Sequence, residues 1–191
     1  MNRAIELLAP ARDLATGRVA VDSGADAVYI GGPGFGARRA AGNSLEDVAE
    51  LVRYARPFGV RVYATLNTLL FDDEVYEARR VAAGLVEAGV DALIVQDMAF
   101  MRMGINGMGA CDSSNSTIET FELRSEPEKV GVLGISAAAV AAHASTQTCN
   151  MIPEEVAFLG RSGFRRVILE RALSLAEIRA IRAACPDEIE L

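Results

Sequence analysis

The chain has 191 residues, enough for one sizeable hydrophobic core and too few for two ordinary domains with a linker. Hydrophobic residues make up 51% and charged residues 24%, which excludes a disordered chain, and a formal net charge of −7 argues against a broad phosphate-binding face. Three widely spaced cysteines, Cys111, Cys149 and Cys185, fit no C-x-x-C arrangement, so they form neither a disulfide framework nor a readable zinc site and suit reduced thiols in the cytoplasm.

In chain order, an apolar run at Ile5–Leu8 predicts a first strand ending at Ala9-Pro10, and Asp13 opens a helix reaching Ser23-Gly24. GADAVYIGG (24–32), VRVYATLNT (60–68) and GVDALIVQD (89–97) follow, each rich in Val, Ile or Leu on both faces, as suits parallel strands covered on two sides. Between them, helices are announced by their caps. Ser44 and Asp47 open one with the stripe Leu45, Val48, Leu51, Val52 and Ala55. Asp72-Asp73 opens the next, with Val75, Val81, Leu85 and Val86 inward and Gly89 as its stop. AAHASTQT (141–148) is a fifth strand with a polar continuation and carries the chain's only histidine, His143. Pro153-Glu154-Glu155 begins a helix that closes at Gly163, RRVIL (165–169) is a sixth strand followed by Glu170-Arg171, and Ser174-x-x-Glu177 begins a last helix ended by Pro186. Glu188–Leu191 reads as the start of a seventh strand.

SGADAVYIGG, AGVDALIVQD and SGFRRVILER share one pattern: a small residue and Gly, two further residues, an apolar strand, then polar groups. Repeated βα units favour a (β/α) barrel over an open doubly wound sheet, the alternative for this pattern. A complete eight-stranded barrel takes about 250 residues. The expected architecture is therefore one α/β domain over 1–191, an incomplete barrel of six to seven βα units. A second copy or a partner subunit would cover its open strand edges. Residues 104–137 are too long for an ordinary connection and read as an insertion, to which the sequence assigns no role. No apolar run approaches about 18 residues, so no membrane segment is expected.

The polar clusters fall at the carboxyl ends of the strands, where barrels place their chemistry. Period-two geometry sends His143, Ser145 and Gln147 to one face, where a neutral imidazole could act as a base. Gln96-Asp97 and Glu170-Arg171 end the flanking strands, and Asn67 ends the third. The expected site has His143, Glu170 and Asp97 moving protons, and Arg38, Asn67, Gln96, Ser145, Gln147 and Arg171 binding substrate. GGPGFGARR (31–39) lacks the Walker Lys-Ser/Thr and reads as a rim loop presenting Arg38, Arg39 and Asn43. A single histidine and no G-x-S-x-G elbow leave no serine triad to defend, and no spacing predicts a metal site.

ELLAPAR (6–12), SGADAVYIGG (23–32), FGARRAAGN (35–43), VRVYATLNTLLFDDE (60–74), AGVDALIVQD (88–97), HASTQT (143–148) and FRRVILERALSLAEI (164–178) together resemble the N-terminal region of the U32 peptidase family. The resemblance covers nearly everything outside 104–137. It implies a TIM-barrel-like domain, with Glu6, Arg38, Asn67, Gln96, Asp97, His143, Ser145, Gln147, Glu170 and Arg171 at matching motif positions. It also implies a protease or collagenase activity on a peptide or small-molecule substrate. The alternative it carries is a factor for hydroxylating RNA bases or the ubiquinone ring, though the net charge does not favour RNA. A non-catalytic fragment or scaffold is a third reading. Some family members bind an iron–sulfur cluster on cysteines expected here beyond Leu191. No cofactor is thus assigned to these residues, and a cluster would require a C-terminal extension.

Overall fold

The computed structural model describes residues 5–37, 42–103, 105, 140–186 and 189–191. Apart from Ile105, the insertion expected at 104–137 lies outside the described residues, as do Arg38, Arg39 and Cys111. Six βα units run in order: β1 (Leu8–Ala11), α1 (Leu14–Asp22), β2 (Ala27–Gly31), α2 (Leu45–Ala55), β3 (Arg61–Leu66), α3 (Val75–Glu87), β4 (Ala92–Val95), α4 (Ala99–Arg102), β5 (Ala141–Ala144), α5 (Pro153–Arg161), β6 (Arg166–Val167) and α6 (Leu175–Ala184).

All the strand pairs are parallel and the spatial order is β1-β2-β3-β4-β5-β6, so neighbours in space are neighbours in sequence. A doubly wound sheet would reverse its order at a switch point, and this one does not. The sheet is also curled. Flat, it would hold its edge strands about 24 Å apart, yet Glu6, just ahead of β1, accepts a hydrogen bond from Arg166 of β6 at 2.5 Å. The result is an incomplete barrel. Outward residues such as Val28, Ile30, Val62, Leu66, Leu93 and Val95 share one core with the helices, whereas Ala27, Tyr63, Ala92 and Ile94 form a second, interior cluster.

Local chemistry explains the element ends. Ser44 with Asp47, and Ser174 with Glu177, form reciprocal capping boxes at α2 and α6. Asp13 caps α1 by accepting from the Thr16 backbone N–H at 2.8 Å and its hydroxyl at 2.7 Å. Such caps contribute about 1 kcal/mol each. A Cβ on Gly17 would stand 2.7 Å from Leu51 Cδ2, so a residue lacking one lets α1 seat against α2.

The first strand lies later than the Ile5–Leu8 run suggests. Leu7 already faces β2, donating to Asp26 Oδ2 at 2.7 Å and accepting from the Ala27 N–H at 3.2 Å, and the ladder proper begins at Leu8. Because alternate residues of a parallel strand face opposite neighbours, Ala9 and Ala11 then face β2 and Pro10 faces the edge that has no strand partner among the described residues. There its missing N–H costs no ladder bond. At the other edge, the expected seventh strand is a single parallel bridge between Glu190 and Arg166. It is seated by Arg182, whose guanidinium donates to the carbonyls of Ile189, Cys185 and Pro186. It is also seated by Ile189, whose side chain occupies the place a Cβ on Gly160 would take.

Candidate functional site

Inside the barrel, the amino-terminal end is filled by charge. Arg166 donates to Glu6 Oε1 and to Glu190 Oε2, both at 2.5 Å, and Arg61 pairs with the same Glu6. The Tyr63 hydroxyl donates to Glu6 Oε2 at 2.9 Å, and the Arg166 guanidinium lies 5.4 Å from the Tyr63 ring centre. Burial alone would raise the Glu6 carboxyl, but hydrogen bonds from Arg166 and Tyr63 and the charges of Arg166 and Arg61 hold it below its ordinary range. Burial pushes the Tyr63 phenol up to about 12. Among the described residues this layer fills the amino-terminal end of the barrel with paired charge.

His143 belongs to the same layer, its Cα in register with that of Arg166. The imidazole is buried, meets the Tyr63 ring edge-on with centres 4.8 Å apart, and its Nδ1 has no hydrogen-bond partner. Burial, reinforced by the Arg166 charge, lowers its pKa to about 4, so the ring is neutral at physiological pH. It is an interior residue of the stem and does not reach the mouth.

Above this level opens a cavity of about 910 Å³, near the upper end of the ~300–1,000 Å³ usual for small-ligand sites. Leu8, Tyr29, Ile94 and Ile168, the inward residues of β1, β2, β4 and the end of β6, form its floor. Its walls come from the loop 31–37, from Thr65 and Asn67 at the end of β3, and from Ser145, Gln147 and Arg171 beyond β5 and β6. Asn67 ties these walls together. Its Nδ2 donates to Ser145 Oγ at 3.2 Å, and its Oδ1 accepts from the Ala37 N–H at 3.0 Å. The loop is held again where Thr68 Oγ1 donates to the Phe35 carbonyl at 3.1 Å. Gly34 at φ 116° and Phe35 at φ 53° give it a turn for which glycine is suited and phenylalanine is strained.

Ser145 is the chemically pointed group of this wall. Its oxygen accepts from Asn67 Nδ2 and from the Gln147 N–H at 3.3 Å, which occupies both lone pairs. Ser145 is 1% exposed, and a hydroxyl in that state keeps its proton to offer to an acceptor.

The structure therefore brings Asn67, Ser145, Gln147 and Arg171 to one cavity and leaves His143, Asp97, Glu170 and Gln96 out of its wall. Asp97 is a fastener: Oδ2 accepts from the Leu70 N–H at 2.9 Å and Oδ1 from the Ala99 N–H at 2.8 Å, at the start of α4. Glu170 Oε1 accepts from the Arg171 N–H at 2.9 Å, and Gln96 Nε2 donates to the Gln147 carbonyl at 3.1 Å, behind the wall. Asn43, expected on the rim, is buried and donates to the Gly31 and Arg12 carbonyls, joining the ends of β1 and β2. Asn150 plays the matching part across β5 and β6, donating to the carbonyls of Ser145 at 2.9 Å and Ile168 at 2.8 Å. Thr65 and Asn150 escaped sequence reasoning, although Thr65 lies two residues before Asn67 and so shares its face.

Among the described residues, no group of three or more His, Cys, Asp or Glu side chains could hold a metal ion. Of the described cysteines, Cys149 is exposed and Cys185 is buried as the C-cap of α6, so these two do not form a cluster-binding set. No described helix is long and apolar enough to cross a membrane.

A family model described as peptidase family U32 matches residues 12–118 and 129–191. The chain is 43% identical over 186 residues to the 23S rRNA 5-hydroxycytidine C2501 synthase of Escherichia coli (strain K12), covering 97% of this chain and 24% of that protein. It is 32% identical over 186 residues to tRNA hydroxylation protein P1 of Bacillus subtilis (strain 168), covering 97% and 37%. It thus spans about a quarter to a third of these relatives' length. A solved U32 peptidase superposes with a TM-score of 0.66 at 15% identity, over 99% of this chain and 70% of that one.

Proposed function

This chain belongs to peptidase family U32, and on that premise we propose that it is the base-holding part of an RNA pyrimidine hydroxylation protein, receiving an unstacked base in the barrel mouth. The printed functions of the two relatives above, one acting on ribosomal RNA and one on tRNA, support this reading. The observation that carries it is Ser145, a hydroxyl donor fixed by Asn67 at the edge of an apolar, partly aromatic floor.

A pyrimidine presents a flat face and a ring carbonyl. The floor of Leu8, Tyr29, Ile94 and Ile168 covers the face, and the Ser145 hydroxyl meets the carbonyl. Enzymes that modify a base act on a single strand or extrude the base from a duplex, and a preformed pocket offsets the unstacking cost of a few kcal/mol. This chain's share is to bind the base, orient it and exclude water. The oxygen and the electron acceptor of the hydroxylation lie outside what the described residues supply, and no redox step is assigned to them. Peptide hydrolysis gains no support from His143, because its imidazole faces Tyr63 while the Ser145 hydroxyl is bound to amide donors.

Calorimetric titration of the chain with cytidine tests the reading, alongside incubation with gelatin and peptide mixtures read by mass spectrometry. Saturable cytidine binding that is lost in Ser145→Ala is the expected result. Peptide cleavage that is lost in Ser145→Ala, with no nucleoside binding, would overturn it.

A further inference from the structure

The mouth is charged unevenly. Arg12, following β1, and Arg171, following β6, line it at the two ends of the curled sheet, whereas Glu74 and Glu77 line it at the start of α3. Arg12 has a side chain 80% exposed and pairs with its neighbour Asp13 at 2.9 Å; among the described residues, the exposed Arg171 guanidinium has no carboxylate partner. Two exposed cations at one opening are a local exception on a chain of net charge −7. On the acidic side stand Leu69 and Phe71, 67% and 76% exposed and part of the cavity wall, where apolar side chains gain nothing from water.

We propose that the mouth binds a nucleotide within a single-stranded RNA segment, with Arg12 and Arg171 clamping the phosphates and Phe71 stacking a flanking base. The proposal rests on the base-holding reading above and adds the path of the strand. Arg80 offsets the Glu77 charge through hydrogen bonds of 3.0 and 2.7 Å, which leaves Glu74 to repel the backbone, so the strand passes along the β1–β6 side with its bases turned toward β3. The target base then enters the cavity and its neighbour meets Phe71. Charged grooves that track a backbone, combined with aromatic platforms, are how single strands are held without sequence readout. Loop 31–37, pinned by Asn67, stands between the two sides.

The test is fluorescence anisotropy of the 191-residue chain with a labelled seven-nucleotide RNA carrying a central cytidine, measured over a salt series, with free cytidine titrated in parallel. Arg12→Gln and Arg171→Gln are each expected to lower the slope of log affinity against log salt by about 0.7, the value for one lost single-strand phosphate contact. Phe71→Ala is expected to weaken binding about tenfold with the slope unchanged. Arg53→Gln, an exposed cation on α2 away from the cavity, is the control and leaves both unchanged. Cytidine affinity stays the same in Arg53→Gln. Wild-type slopes in both rim variants, or no RNA binding by the wild-type chain, overturn the clamp. Absence of cytidine binding alongside arginine-dependent RNA binding sinks the base-holding reading and leaves the clamp standing.

Discussion

Asn67 at the end of β3 donates to the Ser145 hydroxyl beyond β5 at 3.2 Å, passing over β4 to join two non-adjacent strands across the cavity mouth. The same amide accepts the Ala37 N–H, so one side chain sets both the donor and the loop that faces it. Asn67→Ala is predicted to cost about 1–2 kcal/mol of stability in urea melts, for two lost hydrogen bonds. Asn67→Asp keeps the acceptor for Ala37 but turns the Ser145 hydroxyl toward its own carboxylate. It is predicted to melt close to wild type and yet to lose cytidine binding by calorimetry.

Arg166 is the hinge of the interior charge layer, with a side chain 12% exposed between Glu6 and Glu190. Removing one partner of a buried ion pair leaves uncompensated charge and typically costs about 3–5 kcal/mol. Arg166→Met should therefore unfold at much lower urea concentration than wild type. Adding Glu6→Gln should recover part of the loss, because the stranded carboxylate goes with it. Equal midpoints for the single and double variants would contradict this account.

The depressed pKa of His143 makes stability depend on acid. In the unfolded chain the imidazole takes up a proton below about 6.5, whereas in the fold it stays neutral until about 4. Stability is therefore full above 6.5 and falls as pH drops toward 4, by an upper bound of roughly 3 kcal/mol. Around it, the Arg166 and Arg61 charges oppose the imidazolium, while Glu6 and Glu190 favour it without outweighing burial. Glu6 and Glu190, themselves lowered, add their own losses below about 4.5. Comparing melts of wild type and His143→Phe isolates the histidine: the variant should show a flat profile between pH 6.5 and 5.

Gly160 on α5 receives the Ile189 side chain, and a methyl there would overlap it. Gly160→Ala is predicted to destabilise by about 1–3 kcal/mol, as over-packing does. Hydrogen exchange at the Val167 N–H, bonded at 2.9 Å to the Glu190 carbonyl, should speed up with it. Ile189→Val in the same chain should relieve part of the clash.

The strands, their parallel order and the caps at Asp13, Ser44 and Ser174 were legible in the sequence, because each is a local pattern of periodicity or hydrogen-bonding type. Membership of Asn67, Ser145, Gln147 and Arg171 in one cavity was legible too, since all follow strand ends. Depth was not. Alternation tells which face His143 takes, but strand tilt and stagger decide which layer of the barrel it occupies, and here that layer belongs to Tyr63 and Arg166. Asp97, Glu170 and Gln96 carry the same residue types as an acid–base site and spend them on backbone groups, Glu170 on the N–H of the next residue. The shift of β1 escaped for a related reason: Leu7 is apolar, but its N–H is claimed by a side chain, Asp26.

Pro10 turns its ring nitrogen to the outer flank of β1. An incoming chain trying to extend the sheet there would find the donor row broken in its middle, so runaway stacking of copies through that flank is disfavoured. The same imino acid that looks like a strand breaker thus guards the flank it interrupts.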